Sequence, residues 1–258
     1  RDFEKNAEGF AFTPIGGTID LTYEEIEAEW NKMLQTVPQI GKFRIIHQEK
    51  KRYTFEDYSS QIGNADAALG IWVHKGVINE KLFEAHPNLK YIATLGHGFE
   101  DFDVEMTRRR GVTITNTIYG DVTIAQYAMA LLMNICHNVT VQSDYTKTGY
   151  WKEKETNPQA SYNQLFVPQI ELYQKTLGII IDEEALLEAL ESRKVYMAGL
   201  DVVANEPPQY QIPLMQSPYT FITSHIAWQP KAARLRAVDL AVKNFRSYLE
   251  GMPTSVIN

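Results

Sequence analysis

The chain has 258 residues, is 44% hydrophobic and 22% charged, and carries a formal net charge of −7, the proportions of a soluble globular protein with one or two domains. The acidic balance argues against nucleic-acid binding, which needs a basic face, and the single cysteine, Cys136, excludes an intrachain disulfide. No secretory leader is expected, and the longest apolar stretch, 124–136 with Gln126 and Asn134 inside it, falls short of the ~20 residues of a membrane span, so a reducing, cytoplasmic setting without a membrane partner is expected.

Over the first 116 residues, strands and helices alternate. Thr22 and Glu25 make a capping box, and Ile26, Trp30, Met33 and Val37 follow at helical spacing. Residues 43–47 read as a strand, and Thr54 opens a helix to Ile62. The run AALGIWV at 67–73 is apolar at almost every position, as a strand buried on both faces requires. A helix at 79–85, a strand at 89–95, a helix at 104–109 and a strand at 112–115 follow. This alternation implies a parallel sheet with helices on both faces.

Thr123 opens a long helix to about Val139. It is apolar almost all round, through Ile124, Met129, Leu131, Leu132, Met133, Ile135 and Cys136, so burial between layers, domains or subunits is expected. Cys136 reads as core packing rather than a nucleophile. Residues 146–168 read as an irregular connector, and 175–180 (KTLGII) as a strand. Asp182 caps a helix with Glu183 and Glu184 in its first turn. Residues 197–203 (MAGLDVV) form a strand and 221–223 begin another. Pro230 suits the first turn of the last helix, which carries a stripe of Leu235, Val238, Val242, Phe245 and Leu249 and stops at Gly251.

Four stretches carry the chemistry: NLKYIATLGHGFEDFD at 88–103, NTIYGDVTIAQ at 116–126, DEEALLEALESRKVYMAGLDVVANEP at 182–207, and TSHIAWQPKAARLRAVDLAVKNFRSYLEGMPTSVIN at 223–258. In this order and spacing they resemble the D-2-hydroxyacid dehydrogenase family, and HIAW with its tail resembles the glycerate dehydrogenase (hydroxypyruvate reductase) branch. The resemblance covers about residues 40–258. It implies a two-lobed α/β fold: a flavodoxin-like substrate domain at 1–116 and 231–258, and a partial Rossmann-type dinucleotide-binding domain at 117–230. It further implies an NAD(P)-dependent oxidoreductase that interconverts a 2-keto acid and a D-2-hydroxy acid by hydride transfer at C2, with NAD as the default nucleotide. A homodimer paired through the long helix is implied too. Such chemistry needs an acid–base group that works near neutral pH and a cation to hold the substrate.

The resemblance makes His225 the acid–base and Glu206 its carboxylate partner. Taken alone, these two residues also fit a loop histidine and a solvated turn residue. They lie 19 residues apart, each just beyond an expected strand, and parallel strands would bring them together at the carboxyl ends, in the cleft between the lobes. Leu95, Gly96, His97 and Gly98 take the role of the turn whose backbone amides meet the substrate carboxylate; small residues allow that approach. The same run half-imitates a dinucleotide fingerprint, but Asp101 stands at the third glycine and no acidic residue closes a second strand. Asp201 matches a residue near the nicotinamide carboxamide. Thr123 is either a cofactor contact or a helix N-cap, and Trp228 either lines the substrate pocket or packs under the last helix. Ser224 replaces a common family proline. His47, His74, His86 and His137 lack metal-ligand spacing, so no metal is expected.

One departure is large. KTLGII ends at Ile180, and the helix opened by Asp182 begins at once. The glycine-rich loop and the family's catalytic arginine would both fall between them. A βαβ unit takes ~30 residues, so on the order of 80–100 residues, three or so units, are missing between 180 and 181. Two readings stay open. In one, a longer parent protein carries the segment, with which the Arg1 start agrees. In the other, the chain is a non-catalytic carboxylate-binding or interaction module that lacks it. Bonded neighbours have Cα atoms about 3.8 Å apart; a wider separation of Ile180 and Ile181 is expected. The choice of NAD or NADP is not legible, because the deciding residue ends a strand inside this gap.

Overall fold

The computed structural model describes residues 7–12, 18–47, 53–71, 76–98, 102–150, 165, 167–178, 182–206, 208 and 210–258. They belong to two compact units, Arg1–Asp121 with Gln229–Asn258, and Val122–Trp228.

The first unit holds five parallel strands: β1 (Ala7–Phe12), β2 (Ile40–Ile46), β3 (Ala67–Ile71), β4 (Tyr91–Thr94) and β5 (Thr113–Thr115). Their order is β2-β1-β3-β4-β5, the flavodoxin-like arrangement. Helices α1 (Tyr23–Leu34), α2 (Phe55–Ile62), α3 (Glu80–Ala85) and α4 (Val104–Arg109) join them. Each helix starts on a local device. Thr22 with Glu25 and Thr54 with Asp57 close complete capping boxes, while Asn79 and Asp103 accept from the amides of Leu82 and Met106.

Strands β3 and β4 are buried at every position. Alternate residues serve opposite faces. Ala68, Ile92 and Ile114 join Tyr58, Ile62, Leu82 and Met106 in one core cluster. Tyr91 turns the other way and meets Phe245 of the last helix at a ring distance of 4.9 Å. The chain end covers the edge of the sheet: Thr115 bridges Val256, and the Ile257 amide donates to the Ile114 carbonyl at 3.0 Å.

The second unit contains α5 (Asp121–His137, which starts at the boundary), α6 (Val139–Tyr145), a π-helical turn (Thr146–Tyr150), α7 (Glu183–Glu191), β6 (Ala198–Leu200), α8 (Pro213–Gln216) and β7 (Thr220–Ile222). Strands β6 and β7 run parallel, with Ala198 opposite Thr220 and Leu200 opposite Ile222. Leu186, Leu190, Ala198 and Leu214 form the unit's core. Gly199 lets α5 approach the sheet: an added Cβ would lie 3.1 Å from Leu131 Cβ. The last helix, α9 (Lys231–Leu249), returns to the first unit.

Several expectations need correction. β1 is a strand that the hydrophobic pattern does not announce, because Gly9 interrupts it. That glycine is required: a Cβ there would sit 2.4 Å from the Ala67 carbonyl oxygen and 2.8 Å from the Phe43 ring. Strand β3 is described as far as Ile71, the rest of the expected run at 72–73 lying outside the described residues, and β4 spans only Tyr91–Thr94. The long helix begins at Asp121, so Thr123 is inside its first turn and is not the N-cap. It also ends early, because Asn138 adopts φ 49° and restarts the chain as α6. Nor is α5 buried within the chain: Val122, Ile124, Met129 and Met133 are 61%, 46%, 52% and 39% exposed. Residues 175–178 have no regular structure. A central parallel strand needs neighbours on both edges, and β6 and β7 pair with each other. The Ile180–Ile181 junction lies outside the described residues. Pro230 is the N-cap of α9 rather than part of its first turn. No helix among the described residues is long and apolar enough to cross a membrane.

Two predictions concern the first unit. Gly9→Ala should cost about 1–3 kcal/mol, the usual penalty of overpacking, visible as a lower chemical-denaturation midpoint. As a control, Gly178→Ala, at a position with nothing within 4 Å of the added Cβ, should leave the midpoint unchanged. Arg234, buried on α9, donates to Thr18 Oγ1 at 2.6 Å and to the Asp20 carboxylate. Its hydrogen bond holds the Asp20 carboxyl below the ordinary carboxylate value. A depressed carboxyl stabilises the fold above its unfolded pKa, and that contribution is lost as pH falls through the folded pKa. Asp20→Asn should therefore lower Tm at pH 7, with the gap to wild type closing below about pH 4.

Candidate functional site

Because β6 and β7 are parallel and in register, the loops that follow them leave the same end of the sheet, the carboxyl end where α/β proteins place ligands. The first loop carries Asp201 and Glu206. The second carries Thr223 to Trp228. Asp201 binds the loops together. Its Oδ1 accepts from Thr223 Oγ1 at 2.6 Å and from the Ile226 amide at 3.0 Å, and its Oδ2 accepts from the Ala227 amide at 2.9 Å. Its carbonyl accepts the His225 amide at 2.7 Å.

Held this way, His225 adopts φ 56°. Few residues other than glycine sit there, histidine more often than most, and the conformation costs on the order of 1–3 kcal/mol unless the surroundings impose it. The imidazole Nδ1 lies 2.6 Å from Glu206 Oε2. A carboxylate can only accept, so Nδ1 carries the proton and Nε2 is left as the working nitrogen. Glu206 is oriented in turn, since its Oε1 accepts from the Val203 amide at 2.9 Å. The His225 side chain is 55% exposed and that of Glu206 29%, so the imidazole is reachable from solvent. The Trp228 indole donates to the His225 carbonyl at 2.8 Å. Trp228 thus fastens the histidine loop.

In the first unit, the turn after β4 carries Leu95 to Gly98. The Leu95 amide donates to the Ile71 carbonyl at 3.3 Å and is thereby engaged with β3. The His97 ring lies 3.5 Å from Asp121 Oδ1 and edge-on to Tyr119. Burial pushes the Tyr119 phenol up to about 12, so it acts only as a neutral hydroxyl group. Thr123 is buried in the first turn of α5.

The remaining polar candidates have local partners. Residues 122–228 contain one arginine, Arg193, whose guanidinium lies 4.2 Å from the centre of the Tyr219 ring, a cation–π contact that holds it there. The His86 Nδ1 donates to the Gly63 carbonyl at 3.1 Å, and its Nε2 accepts from Ser59 at 2.8 Å. His47 pairs with Glu27 at 2.8 Å and stacks on Tyr23. Burial pushes the Cys136 thiol up, as core packing requires. His74 lies outside the described residues, and no three His, Cys, Asp or Glu side chains among those described gather as a metal site. Sequence reasoning missed Thr223 as the second anchor of the loop. The residue carries no motif of its own, and its role appears only once β6 and β7 are paired.

The comparisons with known proteins follow the same line. The model of the family described as "D-isomer specific 2-hydroxyacid dehydrogenase, catalytic domain" matches residues 21–258. The hydroxypyruvate reductase of Blautia hydrogenotrophica is 26% identical over 300 residues, covering 83% of this chain and 91% of that protein. That alignment is longer than the 258-residue chain, so the relative carries residues with no counterpart here. Among solved structures, the apo D-mandelate dehydrogenase of Rhodotorula graminis matches with a TM-score of 0.65 at 16% identity, covering 98% of both chains. An NADPH-dependent glyoxylate/hydroxypyruvate reductase of Sinorhizobium meliloti matches at 0.62 and 18%, again covering 98% of both. These two likenesses show the fold, an α/β fold with parallel sheets. The match over nearly the whole length shows that this chain belongs to the D-isomer specific 2-hydroxyacid dehydrogenase family of oxidoreductases.

Proposed function

We propose that the protein serves the interconversion of a small 2-keto acid and its D-2-hydroxy acid, with glyoxylate and hydroxypyruvate the first substrates to try. The carrying observation is the His225–Glu206 pair at 2.6 Å on a loop clamped by Asp201. In reduction, His225 Nε2 gives a proton to the C2 oxygen; in oxidation it takes the proton back. Glu206 fixes the ring and its tautomer through Nδ1–H. The Gly96–Gly98 turn is the proposed seat of the substrate carboxylate.

The family uses NAD(P), and NAD is the default from the resemblance, although the Sinorhizobium relative is NADPH-dependent. The described residues do not fit a dinucleotide. No glycine-rich turn stands between Lys175 and Asp182, the Asp201 carboxylate already serves three loop donors, and Thr123 is buried. Hydride exchange at C2 is therefore assigned to none of the described residues. This observation favours a second reading, a carboxylate-binding module without turnover. Intact mass bears on it: 29.5 kDa is the mass of the chain itself, and a protein with the family's intervening units would be roughly 10 kDa heavier.

With glyoxylate or hydroxypyruvate and either NADH or NADPH, His225→Asn should reduce turnover about 10²–10⁴-fold. Glu206→Gln should cost less and move the pH profile. Undiminished turnover in His225→Asn would remove the acid–base assignment. A wild-type protein that binds the acid but oxidises neither nucleotide would establish the module instead.

A homodimer through α5 is also proposed, supported by the exposed Val122, Met129 and Met133, which share one face of the helix and make an apolar stripe of the kind that marks an association surface. Sedimentation at micromolar concentration should give a dimer; a monomer would rule it out.

A further inference from the structure

The loop that carries Glu206 is held from a second side, by the helix that precedes β6 in the chain. Leu186 and Leu190 of α7 join Ala198 of β6 and Leu214 in one core. Glu183 precedes the two leucines by three and seven residues, so it stands on the same face of the helix, in its first turn. Glu184, one residue on, is rotated by about 100° and is exposed, whereas Glu183 is half-buried. An acid in the first turn suits the helix dipole wherever it points, and Asp182 already caps the helix by accepting from the Ala185 amide at 2.8 Å. Glu183 reaches out of the helix. Its Oε1 accepts from the Ala204 amide at 2.5 Å, across 21 residues of chain.

Residues 201–206 have no regular structure, and Val202, Ala204, Asn205 and Glu206 are exposed. The shape of such a loop rests on side chains bonded to its backbone. Asp201 ties the first of these residues to the loop after β7, and Glu183 ties the fourth to α7. Between them, the Val203 amide donates to Glu206 Oε1 at 2.9 Å, while Glu206 Oε2 lies 2.6 Å from His225 Nδ1. The Val203–Ala204 peptide is planar. The bond from Ala204 to Glu183 therefore fixes the plane that follows Val203, inside the short turn over which Glu206 reaches back. A hydrogen bond to an ionised carboxylate is about twice as strong as one between neutral groups. Held in one shape, the turn points Glu206 at the imidazole.

We infer that Glu183 is a positioning residue: through the Ala204 amide it sets the turn that aims the Glu206 carboxylate at His225. This rests on the acid–base reading above and on no nucleotide. The test reads the tautomer of His225 in the full chain without ligand, from the ¹⁵N signals of its imidazole at alkaline pH, where the ring is neutral. In the wild type, Nδ1 should carry the proton and Nε2 should be bare. Glu183→Ala should lose this preference, and the two nitrogen signals should move toward each other as the tautomers mix. Glu183→Gln discards the charge but keeps an oxygen for Ala204, so it should keep the wild-type spectrum. Glu184→Ala, which removes a charge from the same turn, should keep it too. Should Glu183→Ala not fold, Glu183→Asp takes its place: the charge and the helix start remain, but the carboxylate is one methylene short of Ala204. An unchanged tautomer in that folded variant overturns the positioning role while the His225–Glu206 pair stands. A Glu183→Gln spectrum as mixed as that of Glu183→Ala assigns the effect to charge and overturns it as well. A wild-type ring without the proton on Nδ1 overturns the pair, and the role of Glu183 with it.

Discussion

The carboxylate of Asp201 is the constraint on which the His225–Glu206 pair depends. It joins the loop after β6 to the loop after β7 through a hydroxyl group and two amides. Without such a clamp, the left-handed backbone at His225 would relax toward cheaper conformations and the ring would leave Glu206. The arrangement is layered. Parallel pairing brings the loops to one end, Asp201 fixes their backbones, Trp228 fastens the histidine carbonyl, and Glu206 sets the tautomer. A histidine so placed keeps one nitrogen toward solvent with its protonation partner already decided, which is what proton transfer at a substrate oxygen requires.

The two units differ in how far their own residues satisfy them. The first has five strands, a core on each sheet face and an edge covered by the chain's last residues. The second pairs two short strands. Parallel sheets are normally covered on both faces and extended on both edges, and a two-stranded parallel pair has few partners to offer. The exposure of α5 belongs to the same account: a helix this apolar is built to be covered. The Blautia relative carries residues with no counterpart in this chain, its alignment of 300 residues being longer than the chain's 258.

Local signals were legible in the sequence. Capping at Thr22, Thr54 and Asp182 shows within four residues, because a side chain bonds an amide three positions on. The apolar runs marked β3 and β4, the strands buried on both faces. The His225–Glu206 pair was legible only through its flanking words, GLDVVANEP and HIAW; the two residues alone say nothing about distance. β1 was hidden by Gly9, whose need is set by the Ala67 carbonyl and the Phe43 ring, far away in sequence. KTLGII has the composition of a strand, but a strand exists only beside its neighbours.

By itself, then, the sequence determined most of the element types, the α/β class and the family. Each of these depends on residues close together in the chain or on motif order. The tertiary structure decided which carbonyl or carboxylate each buried donor reaches: Thr223 and the Ile226 amide to Asp201, Asn116 to His97, Asn244 to Asn116. These bonds span up to 128 residues, and hydrogen-bond geometry is specified to tenths of an ångström. No local pattern carries that information, because it arises only when packed strands bring their ends together.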